Sequence, residues 1–161
     1  MGHYEIAQIC ENGHLITDSA LSSQYLLQDF CSRCGAPTTM QCSQCGEPIH
    51  GRLIQPEYIG YAKRYVVPRF CWNCGVAYPW TAKALAAAKS LASEFEGLTE
   101  QETQMLSKSI DDLVAGGPQT EVAAIRFKKA VAKLGKQAAP AFREILIDVV
   151  SEAAKKQIWG S

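Results

Sequence analysis

From residue 81 onward, apolar positions recur every three or four residues, the spacing of one helix face. Thr81 is placed to cap a first helix running to about Glu96, with Leu85, Ala88, Ala92 and Phe95 on one side and Gly97 as the stop. Thr99-Glu100-Gln101-Glu102 reads as a capping box that opens a second helix, with Leu106, Ile110, Leu113 and Val114 inward and Gly116-Gly117-Pro118 as its end. Thr120 starts a third helix, whose stripe is Phe127, Val131 and Leu134. Pro140 suits the first turn of a fourth, in which Phe142, Ile145, Leu146, Val149, Val150 and Ala153 make the strongest stripe in the chain. Four amphipathic helices on short loops describe a helical bundle over residues 81–161. Before residue 81 the pattern predicts short strands and tight turns instead.

Those turns carry the chemistry. All seven cysteines fall in four knuckles: Cys10-Glu11-Asn12-Gly13-His14, Cys31-Ser32-Arg33-Cys34-Gly35, Cys42-Ser43-Gln44-Cys45-Gly46 and Cys71-Trp72-Asn73-Cys74-Gly75. With His14 they make eight ligands, enough for two tetrahedral zinc ions with none left over. Cys-x-x-Cys suits a turn whose amides point at the first sulfur. The following glycine supplies the left-handed exit. In the first knuckle Gly13 comes one place earlier, which fits a turn lengthened by one residue.

Two pairings satisfy the spacing. Sequential pairing joins Cys10 and His14 to Cys31 and Cys34, then Cys42 and Cys45 to Cys71 and Cys74, across connections of 16 and 25 residues. Cross-bracing joins the first knuckle to the third and the second to the fourth. The sequential order is favoured because the second knuckle of each unit then opens on phenylalanine (Phe30, Phe70). A thioredoxin-like redox motif needs a βαβ setting, and a disulfide scaffold has an odd cysteine count against it. His50 or a carboxylate is the alternative to His14, but His14 has the ligand spacing and the adjacent glycine, and His50 reads as a strand residue or one supporting the ligands. Closed sites of this kind are structural.

The alternation of a plain pair with Phe-Cys-x-x-Cys-Gly resembles double zinc ribbon domains. Together with Tyr78-Pro79-Trp80-Thr81, the four knuckles more specifically resemble DUF2321, a family of bacterial proteins of unknown function. The resemblance covers residues 1 to about 82. It implies a zinc-ribbon module in a bacterial cytosolic protein and brings no activity with it.

Charge bears on the partner. The chain is formally neutral overall. Residues 1–80 hold five Lys/Arg and six Asp/Glu. A three-thiolate zinc site adds −1 and a four-thiolate site −2, so the loaded module is about four units negative. Against this, the stretch before the fourth knuckle interleaves cations with rings: Arg52, Tyr58, Tyr61, Lys63, Arg64, Tyr65 and Arg69. Such interleaving serves single-stranded nucleic-acid binders. Arg126, Lys129, Lys133 and Lys136 share one face of the third helix and offer a second basic surface.

No apolar run approaches the roughly 20 residues that span a bilayer. No secretory pattern opens the sequence, and paired thiols without one fit the cytosol. No phosphate-binding loop, nucleophile elbow or zinc-protease motif is present, and no catalytic residue is assigned. His50 with Arg52 is the nearest thing to an acid/base starting point, and an enzyme would need a polar cleft beside them.

The sequence therefore predicts an α+β protein. Residues 1–80 form a metal-bound β module with two structural zinc ions. The helical region either packs on that module or closes on a second chain as a homodimer. The expected role is a non-catalytic adaptor for a protein partner, with nucleic-acid binding as the runner-up and an enzyme or toxin-like factor as a weaker third.

Overall fold

The computed structural model describes residues 1–58 and 63–160 and divides into two compact units, Met1–Ala82 and Lys83–Ser161. Tyr61 lies outside the described residues. The architecture is α+β, with short strands first and helices after.

The first unit contains β1 (His3–Ile6), β2 (Gln8–Cys10), β3 (Leu15–Thr17), β4 (Thr38–Thr39) and β5 (His50–Ile54). β2 is the middle strand of a three-stranded antiparallel sheet, between β3 and β4. β1 pairs antiparallel with β5, Tyr4 lying opposite Leu53 and Ile6 opposite His50. Strands this short bury little. The unit's core is Ala7, Ile9, Ile49, Tyr78 and Trp80 around the sulfurs of Cys42 and Cys71, with Tyr65 and Val67 packed against it.

Where β5 passes the end of β3 the backbones come very close. Arg52 N–H donates to the Asp18 carbonyl at 2.8 Å. A Cβ at Gly51 would stand 2.2 Å from that same carbonyl oxygen, so only glycine fits there.

Five helices follow among the described residues: α1 (Pro79–Glu94), α2 (Glu100–Ala115), α3 (Thr120–Lys133), α4 (Ala138–Leu146) and α5 (Glu152–Trp159). α2 has the expected capping box, Thr99 and Glu102 each satisfying the other's backbone N–H, and it ends on Gly116 in the left-handed conformation. Leu106, Ile110, Leu113 and Val114 are buried as the periodicity predicts. Phe127 of α3 meets Phe142 of α4 edge to face, with ring centroids 5.6 Å apart.

Two expectations need correction. α1 begins at Pro79, not after Thr81, because proline is pre-shaped for a first helical position and Thr81 is drawn into the buried helix face. The expected fourth helix is two helices. The chain leaves α4 in a turn in which Val149 and Val150 N–H both donate to the Leu146 carbonyl, and Ser151 then caps α5 by accepting from Ala154 N–H. Val149 and Val150 are buried as expected, but the break shifts the register. Ala154 faces inward and Ala153 outward.

Candidate metal centre

Each knuckle is built from its own backbone. In the second, Cys31 N–H donates to the Ala36 carbonyl and Gly35 N–H to the Cys31 carbonyl, at 2.8 and 2.7 Å. Cys42/Gly46 and Cys71/Gly75 repeat that pattern, and the three glycines take φ values of 74–78°. The first knuckle is a true hairpin turn between β2 and β3. There Gly13 N–H returns to the Cys10 carbonyl at 2.8 Å and His14 N–H points at the Cys10 sulfur at 3.3 Å.

The knuckles meet in two clusters, Cys10, His14, Cys31 and Cys34 in one and Cys42, Cys45, Cys71 and Cys74 in the other, with all ligand atoms of a cluster within 4.8 Å of one another. This is the sequential partition. Sulfur atoms from opposite knuckles stand 3.7 Å apart in each of three pairs, Cys10–Cys34, Cys42–Cys74 and Cys45–Cys71. A disulfide would need about 2.05 Å. A tetrahedron with metal–sulfur bonds of about 2.3 Å has edges of about 3.8 Å. His14 joins through Nδ1, at 3.5 and 3.6 Å from the Cys10 and Cys31 sulfurs, against about 3.6 Å for a sulfur–nitrogen edge. Both clusters therefore have the size and donor number for a tetrahedral metal ion.

Electrostatics says why a cation belongs there. The Ala36 amide and the Asn12 side chain, which lies 3.4 Å from the sulfur, hold the Cys34 thiol down at about 6, whereas burial pushes Cys10 up. Burial also disfavours the Cys71 thiolate, but amides of Cys74 and Asn73 and the neighbouring thiols bring it to about 6. At Cys74 the Val76 amide favours the thiolate, yet burial and the three neighbouring thiols push it up to about 12. Four thiols at one point cannot all ionise without a positive charge among them.

Around the second cluster, Trp72 donates its indole N–H to the Pro48 carbonyl at 3.0 Å and stacks on His50, which stacks in turn on Tyr4. His50 thus lies in β5 as one layer of an aromatic column and is not a ligand. Sequence reasoning missed this column, whose three members lie far apart in the chain. It also missed Asn12, whose place inside the first knuckle was the available signal.

The basic and aromatic surface is only partly a surface. Arg52 is held by both carboxylate oxygens of Asp18, and the Tyr65 hydroxyl donates to the His50 carbonyl at 2.6 Å. The Arg69 guanidinium lies 6.0 Å from the Phe70 ring centroid. Tyr58, Lys63 and Arg64 are exposed. On α3, Lys133 pairs with Glu102 of α2, while Arg126 and Lys129 are exposed. Lys136, expected on the same helix face, lies beyond the helix end, past the left-handed Gly135, and is exposed as well.

The sequence profile of a family described as an uncharacterized protein conserved in bacteria, DUF2321, matches residues 3–158. The chain belongs to this family. The DUF2321 match runs through α2 to α5, well beyond residue 82, so the helices are as much part of the family as the knuckles. No curated protein and no solved structure matches the chain. Among the described residues, no helix is long and apolar enough to cross a membrane.

Proposed function

We propose that this chain is a zinc protein of non-catalytic type, in which two structural zinc ions hold the first unit as a binding surface for a partner protein. The observation that carries the reading is the completeness of both donor sets. Each cluster supplies four protein ligands, which leaves no position for substrate or a reactive water. Three thiolates with an imidazole, and four thiolates, are donor sets that suit zinc in tetrahedral geometry. The four knuckles are the ligands of two zinc ribbons, and unpaired thiols keep to a reducing compartment such as the cytosol.

Metal would supply what the small core cannot. Structural zinc contributes about 10–16 kcal/mol of apparent binding energy at neutral pH. Here it ties segments 24 and 32 residues apart. Catalytic alternatives find little support. His50 is sandwiched between rings and Arg52 is bound to Asp18. A groove of about 500 Å³ between α3 and α5 is lined by Phe127, Val131, Ile158, Trp159 and two lysines, with no nucleophile or carboxylate. The nucleic-acid reading loses Arg52 and Tyr65 to internal contacts and faces a negative metal-loaded unit.

Native mass spectrometry of protein purified without added metal tests this. Two zinc ions per chain are expected, and a strong chelator should unfold the first unit while leaving helical circular dichroism largely intact. One metal or none, or iron in place of zinc, would overturn the reading.

A further inference from the structure

Several rings pack around the second cluster, and most carry a polar atom with a settled partner. Trp72 and Trp80 place their indole N–H on the carbonyls of Pro48 and Pro68, at 3.0 and 2.8 Å, and the Tyr65 hydroxyl donates to the His50 carbonyl. Tyr78 departs from this. It is 2% exposed, and its ring stacks on Trp80 with centroids 4.8 Å apart. Its hydroxyl, like that of Thr81, is buried and completes no hydrogen bond among the described residues. A buried phenol ordinarily has a partner, because without one it gives up its hydration for nothing.

The backbone fixes where that hydroxyl lies. Phe70 bridges Ala77 across the fourth knuckle, and Tyr78 N–H donates to the Arg69 carbonyl at 3.1 Å. Pro79 then opens α1, so Tyr78 is folded back over its own knuckle and into the core that holds the Cys42 and Cys71 sulfurs. The sulfur beside the hydroxyl is that of Cys71. Burial first, and then this thiol, push the phenol above the ordinary tyrosine range, so the hydroxyl keeps its proton and remains a donor.

The cluster has two sides. Cys45 and Cys74 are exposed and open to hydration, whereas Cys42 and Cys71 are buried. Four thiolates around a divalent ion carry net negative charge. On the buried sulfurs that charge has to be met by protein donors rather than by water. Cys71 already draws on the amides of Cys74 and Asn73. We propose that Tyr78 is a positioning residue of the second metal site, its hydroxyl donating an O–H···S hydrogen bond to the Cys71 thiolate when the ion is bound. This deepens the metal reading and rests on it.

The probe is NMR-active cadmium in place of zinc in the full chain. Two cadmium resonances are expected, with that of the four-thiolate site further downfield. A slowly exchanging phenolic proton should show scalar coupling to the downfield ion alone, transmitted through the hydrogen bond. Tyr78→Phe keeps the ring and its stack on Trp80. It should abolish the coupling, shift the downfield resonance and leave the other in place, which also shows that the variant is folded. Under graded chelator the same variant should hold zinc in the second site about tenfold more weakly. Absence of a phenolic coupling overturns the inference. So does second-site retention that is unchanged or improved in Tyr78→Phe, because the hydroxyl would then be an unsatisfied group whose removal helps. A chain that takes up fewer than two ions defeats the metal reading itself. Two ions without the coupling defeat only the role given to Tyr78.

Discussion

Gln8 holds Gln28 at both of its backbone groups, donating from Nε2 to the carbonyl at 2.8 Å and accepting the N–H on Oε1 at 3.0 Å. The same Nε2 donates to the Thr38 hydroxyl at 2.9 Å, so one buried amide joins β2, β4 and the loop that carries Gln28. Gln8→Leu keeps the volume and removes all three bonds. The expected cost is about 1–2 kcal/mol, with faster exchange of the Gln28 amide and an unchanged metal count. Denaturant unfolding with hydrogen exchange checks it, and an unaltered Gln28 exchange rate would count against the clasp.

His14 is the one imidazole among eight donors. His14→Cys should keep two metals per chain, since a thiolate replaces Nδ1 in the same knuckle. His14→Ala leaves three thiols, and the first site should weaken by about a hundredfold or more while the second is unaffected. Metal counts by native mass spectrometry under graded chelator distinguish the two. Equal retention in both variants would remove His14 from the site.

Metal and protons compete for the same sulfurs. Without metal, Cys34 and Cys71 hold their thiolates down to about 6, whereas Cys74 keeps its proton up to about 12. Both low values are depressed, so these thiolates persist as pH falls from the ordinary thiol range and are lost through about 6. Zinc uptake at neutral pH should therefore release protons from the raised thiols Cys10 and Cys74. Affinity should fall continuously with falling pH, more steeply below about 6 where Cys34 and Cys71 also take up protons. A chelator titration across pH reads this directly. Affinity flat between neutrality and pH 5 would contradict it.

Gly51→Ala places a Cβ 2.2 Å from the Asp18 carbonyl oxygen and 2.9 Å from the Ile6 carbonyl carbon, both backbone atoms. A loss of about 3 kcal/mol or more, or failure to fold, is expected. Gly117→Ala meets nothing within 4 Å and should be neutral or stabilise by up to about 1 kcal/mol. Thermal melts of both variants provide the check.

The knuckles were legible because ligand chemistry demands particular residues at short, fixed spacings, and the α2 boundaries because Thr99, Glu102 and Gly116 each satisfy named backbone groups. The division of the last stripe into α4 and α5 was not. Val149 and Val150 stay buried whether the chain is helical or turning, so the apolar pattern is the same for both, and only Ser151 marked a new start. The roles of Gln8 and Arg52 were hidden for a different reason. Each is fixed by a partner 20 to 34 residues away, which local pattern does not report.

The sequential partition of ligands also sets a timetable for synthesis. The first cluster is complete once Cys34 has emerged, whereas the second waits for Cys74, 40 residues later. At translation rates of about 5–20 residues per second that interval is roughly two to eight seconds. During it a nascent chain can already hold one ion while β1 still lacks β5. A cross-braced arrangement would instead leave the sulfurs of Cys31 and Cys34 exposed, and open to oxidation or wrong pairing, until Cys74 had emerged.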